Sequence, residues 1–250
     1  MNWKKKLATY ASLTVLATFI IHIINKLIYF MSTIDNLLGR KEGLYYEWRF
    51  GKIFYTKEGT GKPILLIHDL SACSSEYEWN RIVSDLSKKN TVYTLDLLGC
   101  GKSDKPNFTY TNFLYVQLVT DFINNVIGEK ADVIVTGNSC SFVLMACHNN
   151  DEIVKTYCES AQISKTQSKY LFASIKGKYT TANITECLTH IDNSIFILVG
   201  SGNPTYKEYA QQYQSYTPAI EVQTIKKAKY LPQLEVPEKV LEQIKILFEL

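Results

Sequence analysis

Residues 131–146 read ADVIVTGNSCSFVLMA, and the pentad GNSCS sets Ser139 between Gly137 and Ser141. A serine between small residues, fed by a buried strand and followed by a helix, can be lifted to the tip of a sharp turn as an acyl-transfer nucleophile. The helix start adds free backbone N–H groups and a positive dipole end, both suited to a developing oxyanion. The pentad alone arises about once by chance in a chain of this size, so its setting must decide.

A second glycine-rich stretch, LDLLGCGKSD, holds Gly-Lys-Ser after a strand. The phosphate-binding pattern G-x-x-x-x-G-K-[ST] needs a glycine five residues before Gly101, and Asp96 stands there. A carboxylate repels the phosphate that such a loop cradles, so Gly99 and Gly101 read as a tight turn leaving a strand.

The elements that must position these residues alternate in type. LYYEWRF and KIFYTKE read as an antiparallel pair, and EGTGKP turns into the buried strand PILLIH. SSEYEWNRIVSDLSKK reads as a helix, TVYTLDLLG as a strand, TYTNFLYVQLVTDFINNVIG as a helix, ADVIVTG as a strand and SFVLMACHNN as a helix. IVKTYCES, SIFILVGS and AIEVQTI continue the strands, and EVPEKVLEQIKILFEL closes as an amphipathic helix. Apolar strands separated by helices predict an α/β domain with a mainly parallel, doubly wound sheet over residues 45–250.

With these elements in order, LLIHDL, LDLLGCGKSDKP, VTGNSCS and LPQLEVPEKV together resemble the α/β-hydrolase superfamily, in its branch of small esterases, lipases and haloperoxidase-like proteins. The resemblance implies an α/β-hydrolase fold, Ser139 as nucleophile, and the N–H groups of Leu70 and Cys140 as the oxyanion pair. It also marks departures. Asp69 stands where the family's oxyanion loop has glycine, Asn203 of GSGNP where the acid belongs, and Tyr230 where the general-base histidine belongs. A phenol with an ordinary pKa near 10 is a poor proton acceptor at neutral pH. Glu159, at the end of IVKTYCES, is the alternative acid; His22, His68, His148 and His190 read as structural. Only AQISKTQSKYLFASIKGKYTT stands where relatives insert a helical cap. No full cap domain is expected, and any pocket would be shallow, roofed by Tyr170, Leu171 and Phe172.

Composition bounds the rest. The chain has 250 residues, 46% of them apolar, enough for one sizeable core. Its net charge is +3 with no long basic tract, which argues against a nucleic-acid partner. Six scattered cysteines without ligand spacing read as small buried hydrophobes, and no metal or cofactor is expected. At the N-terminus, MNWKKK precedes the uncharged run Leu7–Asn25, long enough to span a bilayer. Residues 1–31 are therefore expected to be an uncleaved single-pass anchor and 32–44 a linker; a helix lying on the membrane surface is the alternative that His22 and Lys26 support. Lys4, Lys5 and Lys6 favour a cytoplasmic N-terminus and an extracytoplasmic domain, nearly balanced by Lys26, Arg40 and Lys41 on the other flank.

Two functions follow. One is a membrane-bound, catalytically impaired α/β-hydrolase-fold protein that binds an unknown protein or ligand. The other is an active serine hydrolase, esterase-like, acting through Ser139 on small-molecule esters or lipid-derived substrates.

Overall fold

The computed structural model describes residues 3–36, 39, 41–147, 188 and 194–248. The expected strand IVKTYCES with Glu159, the segment holding Tyr170, Leu171 and Phe172, and His148, His190, Cys158 and Cys187 lie outside the described residues. The chain divides into two compact units, residues 1–42 and 43–250.

The first unit is dominated by one helix, α1 (Trp3–Thr33), whose stretch Lys6–Met31 is long and apolar enough to cross a membrane. Its 26 residues extend about 39 Å at about 1.5 Å each, against about 30 Å of hydrocarbon. The hydroxyls inside it bond back to the helix's own backbone. Ser12 donates to the Thr9 carbonyl at 2.9 Å, Thr14 to Tyr10 at 2.9 Å and Thr18 to Val15 at 2.8 Å, which satisfies these groups without water.

The second unit begins with the expected hairpin, β1 (Leu44–Trp48) against β2 (Gly51–Glu58). β3 (Lys62–Ile67), β4 (Asn90–Leu95) and β5 (Asp132–Val135) follow, giving a five-stranded sheet in the order β1-β2-β4-β3-β5. β3 lies between β4 and β5 and runs parallel to both, whereas β2 meets β4 antiparallel, so this sheet is mixed. β6 (Ile195–Gly200) and β7 (Ile220–Ile225) form a separate parallel pair among the described residues.

The two-residue alternation of β3 explains why both faces are covered. Leu65 and Ile67 enter a core with Leu95, Tyr115, Leu118, Phe122 and Phe142, under α3 (Asn112–Phe122) and α4 (Ser139–Cys147). Ile64 and Leu66 enter the opposite core with Trp79, Ile82, Leu86, Val240 and Ile244. All four β3 side chains are fully buried, each contributing about 1.5–3 kcal/mol relative to exposure.

The expected single helix over SSEYEWNRIVSDLSKK is instead a 3-10 turn, Glu76–Trp79, and a one-turn helix, α2 (Val83–Leu86). The cause is polar and buried. Asp96 accepts the Glu76 N–H at 2.7 Å, and Glu78 turns inward to accept the Asp69 N–H at 3.2 Å, so the chain cannot keep one solvated helical face. Three helices start at proline: α5 (Pro204–Gln214), which packs on β6 and β7, the one-turn α6 (Pro232–Glu235), which meets the 3-10 turn, and α7 (Pro237–Leu247), which closes the domain.

Candidate active site

The register Ile67↔Leu95 and Ile67↔Val135 ends three parallel strands flush, so the loops at His68, Asp96 and Thr136 emerge side by side. His68 ties them together and is fully buried. Leu97 N–H donates to its Nε2 at 3.0 Å, which leaves the ring proton on Nδ1 for the Asp69 carbonyl at 2.7 Å. Both nitrogens are engaged, in keeping with the structural role read from sequence.

After β5 the chain makes its expected strand-to-helix turn, but the left-handed residue is Gly137 (φ +56°). Ser139 has no positive φ and begins α4. The strained backbone expected of an elbow serine is therefore absent there: the chain reverses two residues earlier, where glycine carries no Cβ penalty. Ser139 is 0% exposed, and its hydroxyl donates to the His68 carbonyl at 2.7 Å.

The same shift alters the amide pair. Cys140 N–H closes a turn onto the Gly137 carbonyl at 3.2 Å, and Ser139 N–H onto Thr136 at 3.3 Å. Asn138, not Cys140, supplies the outward amide, and it donates to Asp69 Oδ1 at 2.7 Å. A Cβ on Gly137 would collide with the Asp69 carboxyl, so the carboxylate lies directly on the turn. The outward amide of this turn thus holds the chain's own carboxylate.

Burial pushes the Asp69 carboxyl above its ordinary range; the Asn138 N–H opposes this and nearby Glu78 reinforces it. Glu78 is the member of this site that sequence reading missed. Its Oε2 accepts the Asp69 N–H and, at 2.9 Å, the Thr136 hydroxyl, clamping two loops. Its contacts lie 9 and 58 residues away, beyond any local pattern. The Cys140 thiol is pushed up to about 12, chiefly by burial and then by Asp69, so it stays protonated and offers no substitute nucleophile.

The Gly-Lys-Ser loop also wraps a carboxylate. Asp96 accepts the Lys102 N–H at 2.7 Å, and its carbonyl takes the Ser103 hydroxyl at 2.6 Å, in keeping with a turn and not a phosphate cradle.

Asn203 and Tyr230 follow the carboxyl ends of β6 and β7. Asn203 Oδ1 accepts the Tyr206 N–H at 3.1 Å and caps α5. The Tyr206 ring meets Tyr230 edge-on at 6.5 Å. Tyr230 is 59% exposed, with its N–H on Glu235 Oε1 at 2.8 Å. These two positions adjoin through Tyr206. Among the described residues, the Ser139 side chain bonds to the His68 carbonyl, and no hydrogen bond joins it to Asn203 or Tyr230.

Residues 64–159 match the alpha/beta hydrolase family. A serine hydrolase involved in carbazole degradation superposes with a TM-score of 0.69 over 83% of this chain and 98% of its own, at 15% identity. The chain has the α/β-hydrolase fold. A membrane phospholipase A, described as a bacterial virulence factor, shares the α/β-hydrolase fold at a TM-score of 0.69, 14% identity and 98% coverage of both chains. In sequence, this chain is 34% identical over 86 residues to 2-hydroxy-6-oxo-6-(2'-aminophenyl)hexa-2,4-dienoic acid hydrolase of Metapseudomonas resinovorans. That match covers 34% of this chain and 29% of the relative, so the chain spans under a third of that enzyme's length.

Proposed function

We propose that this α/β-hydrolase-fold protein is anchored in a membrane by its N-terminal helix and is hydrolytically impaired, its domain serving to bind a small-molecule or protein ligand. The observation that carries the reading is Asp69, whose carboxylate accepts the Asn138 N–H and lies against Gly137 on the turn before Ser139. An oxyanion cannot share that place with a carboxylate, and losing one oxyanion donor alone costs about 10²–10³ in rate. Three further features point the same way: Ser139 donates to a backbone carbonyl, both His68 nitrogens are engaged, and a phenol, Tyr230, stands where the resemblance places the general-base histidine.

The hydrolases among its relatives favour a second reading, an esterase-like serine hydrolase on small or lipid-derived esters with Ser139 as nucleophile. A fluorophosphonate probe on the full chain separates the two, because labelling requires an activated serine. The impaired site is expected to stay unlabelled, and labelling of wild type that Ser139→Ala abolishes would establish the enzyme instead. Anchoring is tested by alkaline carbonate extraction of membranes. The full chain is expected to stay in the pellet, and placing arginine at both Leu16 and Ile20 is expected to release it, at about 2.5–3.5 kcal/mol per charge at a helix centre.

A further inference from the structure

The surface formed by α5 and the β7–α6 loop combines exposed tyrosines with unpaired lysines. Tyr206, Tyr209 and Tyr213 recur at i, i+3 and i+7 along one shoulder of α5, beside the buried Ala210, and each is exposed. Tyr230 extends the stripe through its contact with Tyr206, and exposed Leu231 follows it. Around it stand Lys207, Lys226, Lys227 and Lys229, all exposed and none in an ion pair with a described residue. Lys229 Nζ lies 5.0 Å from the centre of the Tyr230 ring. Across residues 204–231 these four lysines face only Glu208 and Glu221. The adjacent Glu235 is committed to the backbone, its carboxylate accepting the N–H groups of Lys229, Tyr230 and Leu231 at 2.6, 2.8 and 2.9 Å.

We infer that this tyrosine–lysine surface docks on an anionic lipid surface. Tyrosine suits the headgroup region, with its ring in the apolar boundary and its hydroxyl in water, and clustered lysines supply the attraction to anionic headgroups. The inference rests on the membrane reading above. Ten residues separate Thr33 from Leu44, a tether of at most about 35 Å, so an inserted α1 holds the domain within reach of the bilayer.

The test uses the full chain in vesicles containing brominated phosphatidylcholine, with and without phosphatidylglycerol. Tyr209→Trp reports on the surface and Phe19→Trp on the span, each made in a Trp3→Phe background and read against that background, whose remaining Trp48 and Trp79 are buried. Docking predicts added quenching at position 209 that grows with phosphatidylglycerol, falls at high salt, and is lost when Lys226, Lys227 and Lys229 are replaced by glutamate. Quenching at 19 but not at 209 overturns the docking surface and leaves the anchor standing. Quenching at 209 but not at 19 upholds the surface and removes the anchor. A position-209 signal indifferent to phosphatidylglycerol, or shielded before lipid is added, overturns the proposal, the latter by showing that protein already covers the stripe.

Discussion

Asp69 and Asn138 lie 69 residues apart in sequence and meet at 2.7 Å, carboxylate to backbone N–H, over a glycine that leaves no room for a Cβ. The contact sets a carboxylate on the turn that leads into Ser139. Under the proposed function, that charge opposes the one ester hydrolysis would develop there.

Rebuilding the site should show which departure limits it. Wild type and Ser139→Ala are expected to hydrolyse p-nitrophenyl acetate at equal rates. Tyr230→His with Asn203→Asp should add little while Asp69 remains, and adding Asp69→Gly should raise the rate by about 10²-fold, the usual scale of general-base catalysis. Stopped-flow and steady-state assays on the four forms check this order. A wild-type rate well above that of Ser139→Ala would show that the site is already active.

Gly137→Ala should destabilise the domain by about 1–3 kcal/mol, because alanine at φ +56° is strained and its Cβ meets the Asp69 carboxyl. Combining it with Asp69→Gly should relieve the collision and leave the backbone strain. Urea denaturation of the two single variants and the double should then show a coupling energy of about 0.5 kcal/mol or more. Strict additivity would mean that the two residues do not touch.

Asp69 should make stability depend on pH in a defined direction. Its carboxyl is raised above the ordinary value of 3.8, so the folded state holds this proton more tightly than the unfolded chain. That contribution is complete below the ordinary value and is lost as pH rises through the raised folded value. Asp69→Asn keeps an acceptor for the Asn138 N–H without the charge. It should be more stable than wild type near neutral pH, with an advantage that shrinks on acidification. Thermal melts of both proteins from acid to neutral pH measure the difference.

Asn203 should behave as a helix cap. Asn203→Ala is expected to cost about 1 kcal/mol, through loss of the bond to the Tyr206 N–H at the start of α5. Asn203→Asp should be neutral or slightly stabilising, since a carboxylate also caps and suits the positive helix end. Chemical denaturation of both variants checks the pair. Equal losses would remove the capping role.

The order of strands and helices was legible in the chain because it depends on local periodicity. The apolar run PILLIH and the turn-rich punctuation around it mark β3, and its alternating side chains supply both cores. The sequence also exposed Asp69, Asn203 and Tyr230 as departures, since residue type can be compared at a matched position. Where it failed, the contacts were long-range. The helix over residues 74–89 broke because Glu76 and Glu78 answer to Asp96 and Asp69, which no periodicity of their own segment encodes. The resemblance assigned Cys140 to the oxyanion pair, and the strand-turn-helix setting put Ser139 at the tip of the turn. The fold instead set the left-handed turn at Gly137, put the Asn138 amide on Asp69, and gave the Ser139 hydroxyl to a carbonyl 71 residues away. Buried hydrogen bonds form between whichever groups the strand register brings to one sheet end, because each must find a partner there once water is excluded. Register and burial belong to the folded chain, so the sequence could name the residues of this site but only the tertiary structure could pair them.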